Sequence, residues 1–272
     1  MRAKPAFGLD ITLNRRARSD VPLDVLIPAH PKDLVTLPYA VSGLRHNVNH
    51  PLNKIYVVTA DTADARRQCS SLQCELVSES TILPITPGEI DYRPGGVDRA
   101  RWLFQQLLKL SVDTVAETAH CLIIDADTLL IRPQVFVWRD RCVLPVGDDL
   151  HTDYLRAYER LTGERANPRL SFTAHHILVS VELLTQLKSE IATRHGCTWY
   201  NAILRSIDRE VHSSVSDYDL YGHWALRHSR RRPILTHWRN IALKRARLTE
   251  LPTLLPDLAQ RYKAVSLHHY DT

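Results

Sequence analysis

The stretch CLIIDADTLLIRP, residues 121–133, begins as a continuous apolar run and places two carboxylates, Asp125 and Asp127, where that run ends. A short apolar run without polar alternation is typical of a parallel β-strand that is covered on both faces. In open α/β sheets, ligands bind outside the carboxyl ends of the strands. The two carboxylates are therefore predicted to lie at the ligand-binding edge of a sheet.

Further apolar runs alternate with helical patterns along the chain. Residues 24–30 (DVLIPAH) and 53–60 (NKIYVVTA) are predicted strands, and residues 74–79 and 80–85 are weaker strand candidates. Residues 98–111 instead repeat their apolar side chains at helical spacing, which predicts a helix with one face in the core. Strands that alternate with helices predict a mostly parallel, doubly wound sheet with right-handed crossovers.

Length and composition favour one soluble domain. The chain has 272 residues, of which 44% are hydrophobic, and no apolar run approaches the roughly 20 residues that span a bilayer. We predict a flexible basic N-terminal arm over residues 1–20, one domain over residues 21–272, and a cytoplasmic location. The five cysteines are scattered and lack the paired spacing of a zinc site, which favours reduced thiols.

A basic stretch covers residues 227–247 (RHSRRRPILTHWRNIALKRAR), with eight Lys or Arg residues and no acidic residue. Such a stretch is either a solvated face or a surface for an anionic partner, such as a nucleotide diphosphate, a polyanionic substrate or a membrane. Aromatic residues make up only 7% of the chain and no nucleic-acid-binding signature accompanies the run, so nucleic acid is not a predicted partner.

A D-x-D triplet by itself is weak evidence of function, and this chain has a second one, Asp217-Tyr218-Asp219. The first triplet differs because it follows a buried strand, where two carboxylates spaced two apart point the same way if the backbone stays extended. Hard oxygen ligands in that arrangement suit Mg²⁺ or Mn²⁺, which complete their shells with water and substrate phosphates. The alternative is that Asp125 and Asp127 only cap the following turn.

Five segments occur in an order that resembles a known family: CLIIDADTLLIRP, the preceding helix RWLFQQLLKLSV, and the later SFTAHHILVS, SDYDLYG and YKAVSLHHY. From about Asp24 onward the chain resembles a bacterial family of glycosyltransferase-like proteins, largely uncharacterised and carried as a domain of unknown function. The resemblance implies a single GT-A-like α/β domain, with a doubly wound, mostly parallel sheet flanked by helices. It also implies that Asp127 ligates a divalent ion against the diphosphate of a nucleotide sugar, while Asp125 contacts the ribose or the sugar.

The resemblance suggests a further metal ligand, and the helix before the D-x-D offers two more donor-site candidates. A third metal ligand near the C-terminus is common in such enzymes, and we predict His268 rather than His269, with a surface histidine as the alternative. Gln106 and Lys109, on the helix before the D-x-D, are predicted to reach the pyrophosphate or the sugar hydroxyls, unless they lie on a solvated helix face.

The remaining candidates come from two later segments. His175 and His176 precede an apolar run where GT-A proteins, which the chain resembles, commonly place donor- or acceptor-contacting residues, although one of the two could be a core histidine. Asp217 stands at a predicted helix N-cap and is the candidate general base if the reaction inverts the anomeric centre, with Asp219 second. If the reaction retains configuration, no base is needed and both would contact sugar hydroxyls.

The predicted function is metal-dependent transfer of a sugar from a nucleotide-diphosphate sugar to a glycan or lipid-linked acceptor, in bacterial surface polysaccharide assembly. Peripheral contact with the anionic inner membrane is a further expectation. The alternatives are a nucleotidyltransferase acting on sugar phosphates and a non-catalytic nucleotide-sugar-binding scaffold. The loop PAHPKDLV, residues 28–35, contains no glycine, which counts against the nucleotidyltransferase.

Overall fold

The computed structural model describes residues 17–268. Residues 1–16 of the predicted arm, and His269, lie outside the described residues. The part of the arm that is described contacts the domain, because the Ser19 backbone N–H donates to the Asn49 carbonyl at 3.1 Å. The Asn49 side chain in turn donates to the Ala17 carbonyl at 2.8 Å.

Strands and helices alternate over the first half of the chain, as the sequence pattern predicts. Within residues 17–268 the strands are β1 (Leu23–Pro28), β2 (Leu52–Thr59), β3 (Glu75–Ser78), β4 (His120–Ile124), β5 (Thr128–Leu130), β6 (Val137–Trp138), β7 (Arg141–Val146), β8 (His176–Ser180), β9 (Ile234–His237), β10 (Asn240–Lys244) and β11 (Ala264–His268). The helices are α1 (Leu37–Asn47), α2 (Ala63–Ser71), α3 (Glu79–Ile82), α4 (Ala100–Lys109), α5 (Thr152–Thr162), α6 (Val181–His195), α7 (Trp199–Ser206), α8 (Asp217–His228) and α9 (Leu251–Arg261).

The central sheet has the strand order β3-β2-β1-β4-β8. Strands β3, β2, β1 and β4 run parallel to their neighbours, and only the edge strand β8 is antiparallel, pairing with β4. All six residues of β1 are buried, as expected of a strand covered on both faces. The predicted fold class, an α/β domain on a mostly parallel sheet flanked by helices, is confirmed.

Two hydrophobic cores cover the two faces of this sheet. Residues of α4 to α8 pack on one face, where Phe104, Tyr158 and Tyr221 are among the largest fully buried side chains. Helices α1 and α2 pack on the other face, with Leu37 and Leu44 buried against β1 and β4. Within residues 17–268 no helix is both long enough and apolar enough to cross a membrane.

One strand prediction was wrong. Residues 80–85 do not form a strand, because α3 begins immediately after β3. The Ser78 and Ser80 hydroxyls hydrogen-bond to each other at 2.9 Å, and the Thr81 hydroxyl donates to the Ser78 carbonyl at 2.7 Å. Such local side-chain hydrogen bonds stabilise a turn in competition with a strand ladder.

Two small sheets flank the central one, with the orders β10-β11-β5 and β6-β7-β9. Strand β5 begins directly after the D-x-D turn and pairs antiparallel with β11, with Thr128 opposite Ser266. The Leu267 backbone N–H also donates to the Asp127 carbonyl at 2.8 Å. This pairing brings the end of the described chain, His268, to the D-x-D.

Candidate active site

A pocket of about 660 Å³ opens at the carboxyl ends of β1 and β4. Six of the nine sequence-predicted site residues line it: Gln106, Lys109, Asp125, Asp127, His175 and His268. Its wall also carries basic side chains that were not singled out before, namely Lys32, Arg99, Arg101 and Arg245. The location agrees with the general rule for ligand sites in parallel sheets.

Asp125 contacts three other side chains of the pocket. Its Oδ1 lies 2.6 Å from the Lys109 Nζ and accepts from the Tyr218 hydroxyl at 3.0 Å. Its Oδ2 lies 2.9 Å from the His175 Nδ1. The backbone N–H of Asp125 donates to the His175 carbonyl at 3.0 Å, which ties the end of β4 to the start of β8. Asp125 is thus held in one orientation by three side chains.

Lys109 is a buried cation, only 2% exposed, on the last turn of α4. Its Nζ also donates to the Tyr218 hydroxyl at 3.0 Å and lies 3.8 Å from an oxygen of Asp217. Burial by itself lowers the pKa of Lys109, but the carboxylates of Asp125 and Asp217 outweigh burial and hold that pKa above its ordinary value. Burial likewise raises the pKa of Asp125, and Lys109 with His175 reverse this, leaving that pKa below its ordinary value.

Gln106 and Lys109 therefore do not lie on a solvated helix face. Gln106 is 6% exposed, and its side-chain oxygen accepts from the Asp217 backbone N–H at 3.3 Å. Helix α8 covers this face of α4, so residues that are polar in the helical pattern are enclosed between the two helices.

Asp127 and His268 form the second acidic-basic pair of the pocket. An oxygen of Asp127 lies 3.6 Å from the His268 Nδ1. Among residues 17–268 no three His, Cys, Asp or Glu side chains converge into a complete metal cage. Mg²⁺ and similar ions are usually held by one or two carboxylates together with substrate phosphates and water. Asp127 and His268 are the side chains that could take part in such a shared coordination shell. Both oxygens of Asp125 already have partners, Oδ1 with Lys109 and Tyr218 and Oδ2 with His175.

Asp217 was predicted to be a helix N-cap, and this was wrong. Ser216 caps α8, because its hydroxyl accepts from the Asp219 backbone N–H at 3.2 Å, and Asp217 is the first helical residue. The Asp217 side chain is 2% exposed, and within the described chain neither of its oxygens has a hydrogen-bond partner. Burial raises the pKa of Asp217 to about 7; Lys109 opposes the shift and Asp125 adds to it.

Asp217, Asp219 and His176 are the predicted site residues that do not line the pocket. Asp219 accepts from the Phe172 backbone N–H at 2.9 Å and from the Thr173 hydroxyl at 2.6 Å, so it fixes the loop before β8. His176 is buried in the core, with its Nδ1 2.9 Å from the Ala174 carbonyl, and burial lowers its pKa to about 4. Of the two adjacent histidines, His176 is the core residue.

His175 is held in an unusual backbone conformation, with φ of 56°. Non-glycine residues in this region are uncommon and occur at turns and functional sites. Its ring stacks on Trp238, with centroids 5.2 Å apart, and lies 5.3 Å from the ring of His268. The strained turn therefore directs His175 away from the core position of His176 and toward Asp125.

Sequence reasoning missed Tyr218, although it lies between the two carboxylates of the second D-x-D. Its hydroxyl contacts both Lys109 and Asp125, and the Lys109 Nζ lies 4.2 Å from its ring centroid. The position of a tyrosine between two acidic residues was the available signal. The central residue of the second triplet therefore lies in the pocket wall, whereas its two carboxylates do not.

The basic stretch at residues 227–247 divides into several parts. Arg245 lines the pocket and pairs with Asp33 at 2.6 Å, donating also to the Lys32 carbonyl. Others pair with carboxylates of distant segments, such as Arg231 with Asp140 at 3.5 Å. The side chains of Arg230, Arg231 and Arg232 are exposed on the protein surface.

The chain belongs to a family of unknown function, DUF6492, whose model matches residues 41–253. The match includes both D-x-D triplets and ends before His268. No curated protein matches the chain.

Solved structures of two glycosyltransferases are similar to the chain. The apo form of mouse xyloside xylosyltransferase 1 is 12% identical, with a TM-score of 0.46, over 92% of this chain and 98% of that chain. The galactosyltransferase LgtC, in complex with donor and acceptor sugar analogs, is 12% identical with a TM-score of 0.45, over 90% of this chain and 87% of that chain. An active-site mutant of LgtC is 11% identical with a TM-score of 0.46, over 92% of this chain and 89% of that chain.

Proposed function

We propose that the protein is a glycosyltransferase that binds a nucleotide-diphosphate sugar in the pocket at the carboxyl ends of β1 and β4. One observation carries this proposal: the D-x-D carboxylates Asp125 and Asp127 stand on the wall of a pocket that also presents Lys32, Lys109 and Arg245. Cations beside paired carboxylates suit a ligand that brings a diphosphate and, with it, a divalent ion.

Negative charge develops on the leaving diphosphate when the glycosidic bond of such a donor breaks. Lys32 lies in the turn after β1, and Arg245 donates hydrogen bonds to the Lys32 carbonyl and the Asp33 carboxylate of the same turn. Both side chains would contact the phosphates there. Mn²⁺ or Mg²⁺, when bound, would stabilise the same charge as a Lewis acid. Asp127 and His268 would hold it, with Asp125 as a further oxygen ligand or a contact to the ribose or sugar.

Lys109 has a different role in this proposal from Lys32 and Arg245, because its side chain is almost completely buried. Its Nζ is enclosed by Asp125 at 2.6 Å, Asp217 at 3.8 Å and the Tyr218 hydroxyl at 3.0 Å. We assign it to orient Asp125, together with His175 and Tyr218, rather than to bind phosphate directly. Gln106, which lines the pocket beside it, keeps the predicted contact to sugar hydroxyls or pyrophosphate.

An inverting reaction needs a general base within hydrogen-bond reach of the acceptor hydroxyl. The pKa of Asp217, about 7, suits proton transfer near neutral pH. Its carboxylate lies behind Tyr218 and Lys109, which do line the pocket, so direct proton transfer requires these side chains to move aside. Asp217 remains the proposed base, and Asp219 remains second because its oxygens already hold the loop before β8.

The proposed acceptor is a glycan or a lipid-linked glycan of bacterial surface polysaccharide assembly, on the cytoplasmic side of the membrane. The exposed Arg230, Arg231 and Arg232 support peripheral contact with an anionic surface.

A thermal-shift panel of nucleotides and nucleotide sugars, with and without Mn²⁺, tests the donor part of the proposal. A ligand that binds only the folded state at 100 times its Kd stabilises that state by about 2.7 kcal/mol. Hydrolysis of the stabilising nucleotide sugar then distinguishes an enzyme from a scaffold. Formation of a nucleotide sugar from a sugar phosphate and a nucleoside triphosphate would instead indicate a nucleotidyltransferase.

A further inference from the structure

The pocket contains cations of two kinds. Lys109, Arg101 and Arg245 are paired with Asp125, Glu79 and Asp33, with nitrogen to oxygen distances of 2.6, 2.5 and 2.6 Å. Arg99 and Lys32 also line the pocket, but within residues 17–268 neither has a carboxylate in ion-pair range. The unneutralised charge of the pocket is therefore at Arg99 and Lys32.

These two cations belong to different elements. Lys32 lies in the turn after β1, and its backbone carbonyl accepts a hydrogen bond from Arg245. Arg99 immediately precedes α4, and its Nε donates to the His212 carbonyl at 3.1 Å, in the segment ahead of α8. Lys32 stands on the side that the proposed donor diphosphate would occupy, whereas Arg99 stands on the side that leads to α8.

The Arg99 guanidinium is held in place, although it has no acidic partner. Its Cζ lies 4.5 Å from the centroid of the Trp102 ring, and its Nη2 lies 3.5 Å from the Ser213 hydroxyl. The contact with the aromatic ring and the hydrogen bonds of Nε and Nη2 fix the position of the guanidinium. Its Nη1 side remains to contact a carboxylate or phosphate. Trp102, Tyr154 and His151 give this side of the pocket an aromatic wall, which suits the apolar face of a sugar ring.

We propose that this side of the pocket is the acceptor subsite and that Arg99 selects an acceptor bearing an anionic group, a sugar carboxylate or a sugar phosphate. The assignment of this side as an acceptor subsite rests on the proposed function. Binding of an anion at Arg99 can nevertheless be measured without any donor. A half-buried guanidinium that has hydrogen-bond partners but no carboxylate partner gains more from an anion than from a neutral hydroxyl group.

Three matched monosaccharides test the inference: methyl glucoside as the neutral probe, glucuronic acid as the carboxylate probe and glucose 6-phosphate as the phosphate probe. The corresponding galactose series serves as a second set. Binding is measured by ligand-observed NMR in the absence of donor, at low and high salt. We expect at least one acidic probe to bind about tenfold more tightly than its neutral counterpart, with the difference reduced by salt. Preference for the carboxylate or for the phosphate tells the two sources of charge apart.

The test variants are Arg99→Gln and Arg99→Lys, with Arg93→Gln as the matched control. Arg93 lies on the same segment, is exposed, pairs with Asp98 at 3.4 Å and does not line the pocket. Arg99→Gln should abolish the preference for acidic probes while leaving neutral binding unchanged, and Arg99→Lys should restore part of it. Arg93→Gln should bind as the wild type does. Thermal melting of each variant shows that its fold is intact.

Equal binding of neutral and acidic probes in both series, or equal losses for both in Arg99→Gln, would overturn the inference. Loss of nucleotide-sugar stabilisation in Arg99→Gln, with acid preference retained, would also overturn it by placing Arg99 in the donor site. Acid binding through Arg99 without any response to nucleotide sugars would support the anion site and contradict the proposed function. Nucleotide-sugar binding without a preference for acidic probes would support the proposed function and overturn the inference about Arg99.

Discussion

The Lys109 Nζ lies 2.6 Å from the Asp125 Oδ1 in a position where the lysine is almost completely buried. The first carboxylate of the D-x-D is therefore neutralised by a cation from the preceding helix, while Asp127 is paired only more distantly, at 3.6 Å, with His268. The two members of the triplet have different environments, and this difference leads to separate predictions for each.

Replacement of Lys109 by Met should destabilise the fold strongly. It leaves the carboxylates of Asp125 and Asp217 buried without their cation, and breaking a buried pair in this way typically costs about 3–5 kcal/mol. Urea unfolding measures the change in the free energy of unfolding. The control is Lys54→Met, whose pairs with Glu75 and Glu117 are partly exposed, so its loss of stability should be much smaller. Equal losses for the two variants would contradict the role given to burial.

Asp127→Ala should abolish sugar transfer while changing the free energy of unfolding by only about 0.5 kcal/mol, as is usual for an accessible side chain. Asp125→Ala should reduce both transfer and stability, because it leaves Lys109 without its closest partner. Turnover and chemical unfolding of the two variants provide the measurements. Normal turnover of Asp127→Ala, or full wild-type activity in excess chelator, would exclude the proposed metal role.

Asp217→Asn should lower the rate of transfer far more than it weakens binding of nucleotide and metal. The reason is that Asp217 lies behind the pocket wall and does not contact the space proposed for the donor. Rates under saturating donor are compared with donor affinity from thermal shifts. If affinity and rate fall in parallel, Asp217 belongs to the donor site and is not the base.

The same variant should alter the pH dependence of stability. Burial raises the pKa of Asp217 to about 7 in the folded protein, against an ordinary value of about 4 when unfolded. A raised carboxyl pKa favours the fold fully below about pH 4, and this contribution is lost as the pH rises through 7. Asn does not titrate, so the stability of Asp217→Asn relative to wild type should increase by a few kcal/mol between pH 4 and 8. Urea unfolding across this range is the measurement, and a constant difference would refute the prediction.

Co-sedimentation with vesicles tests the exposed arginines. Residues near an anionic membrane contribute about 1 kcal/mol each, so replacing Arg230, Arg231 and Arg232 with Ser should weaken binding to anionic vesicles by about two orders of magnitude. Wild-type binding should be lost at high salt, and neutral vesicles are the control. If the protein does not bind anionic vesicles at low salt and the substitutions do not affect donor binding, Arg230, Arg231 and Arg232 form only a solvated basic face.

Local sequence patterns determined the main strands of the sheet, α4, and the position of the first D-x-D at a strand end. These features depend on apolar periodicity and on the general position of ligand sites in parallel sheets, both of which can be read over a few consecutive residues. The same patterns failed at residues 80–85, where hydrogen bonds of Ser78 and Thr81 stabilise a turn and a short helix instead of a strand.

Only the tertiary structure decided which polar residues are enclosed. Helix α8 covers α4, so that Lys109 meets Asp217 and Tyr218 from a segment more than 100 residues away. The pairing of β11 with β5 likewise brings His268 to Asp127. A polar residue in a helical pattern looks the same whether it faces water or a buried carboxylate, because burial and the pKa shifts it causes depend on what another part of the chain places against it.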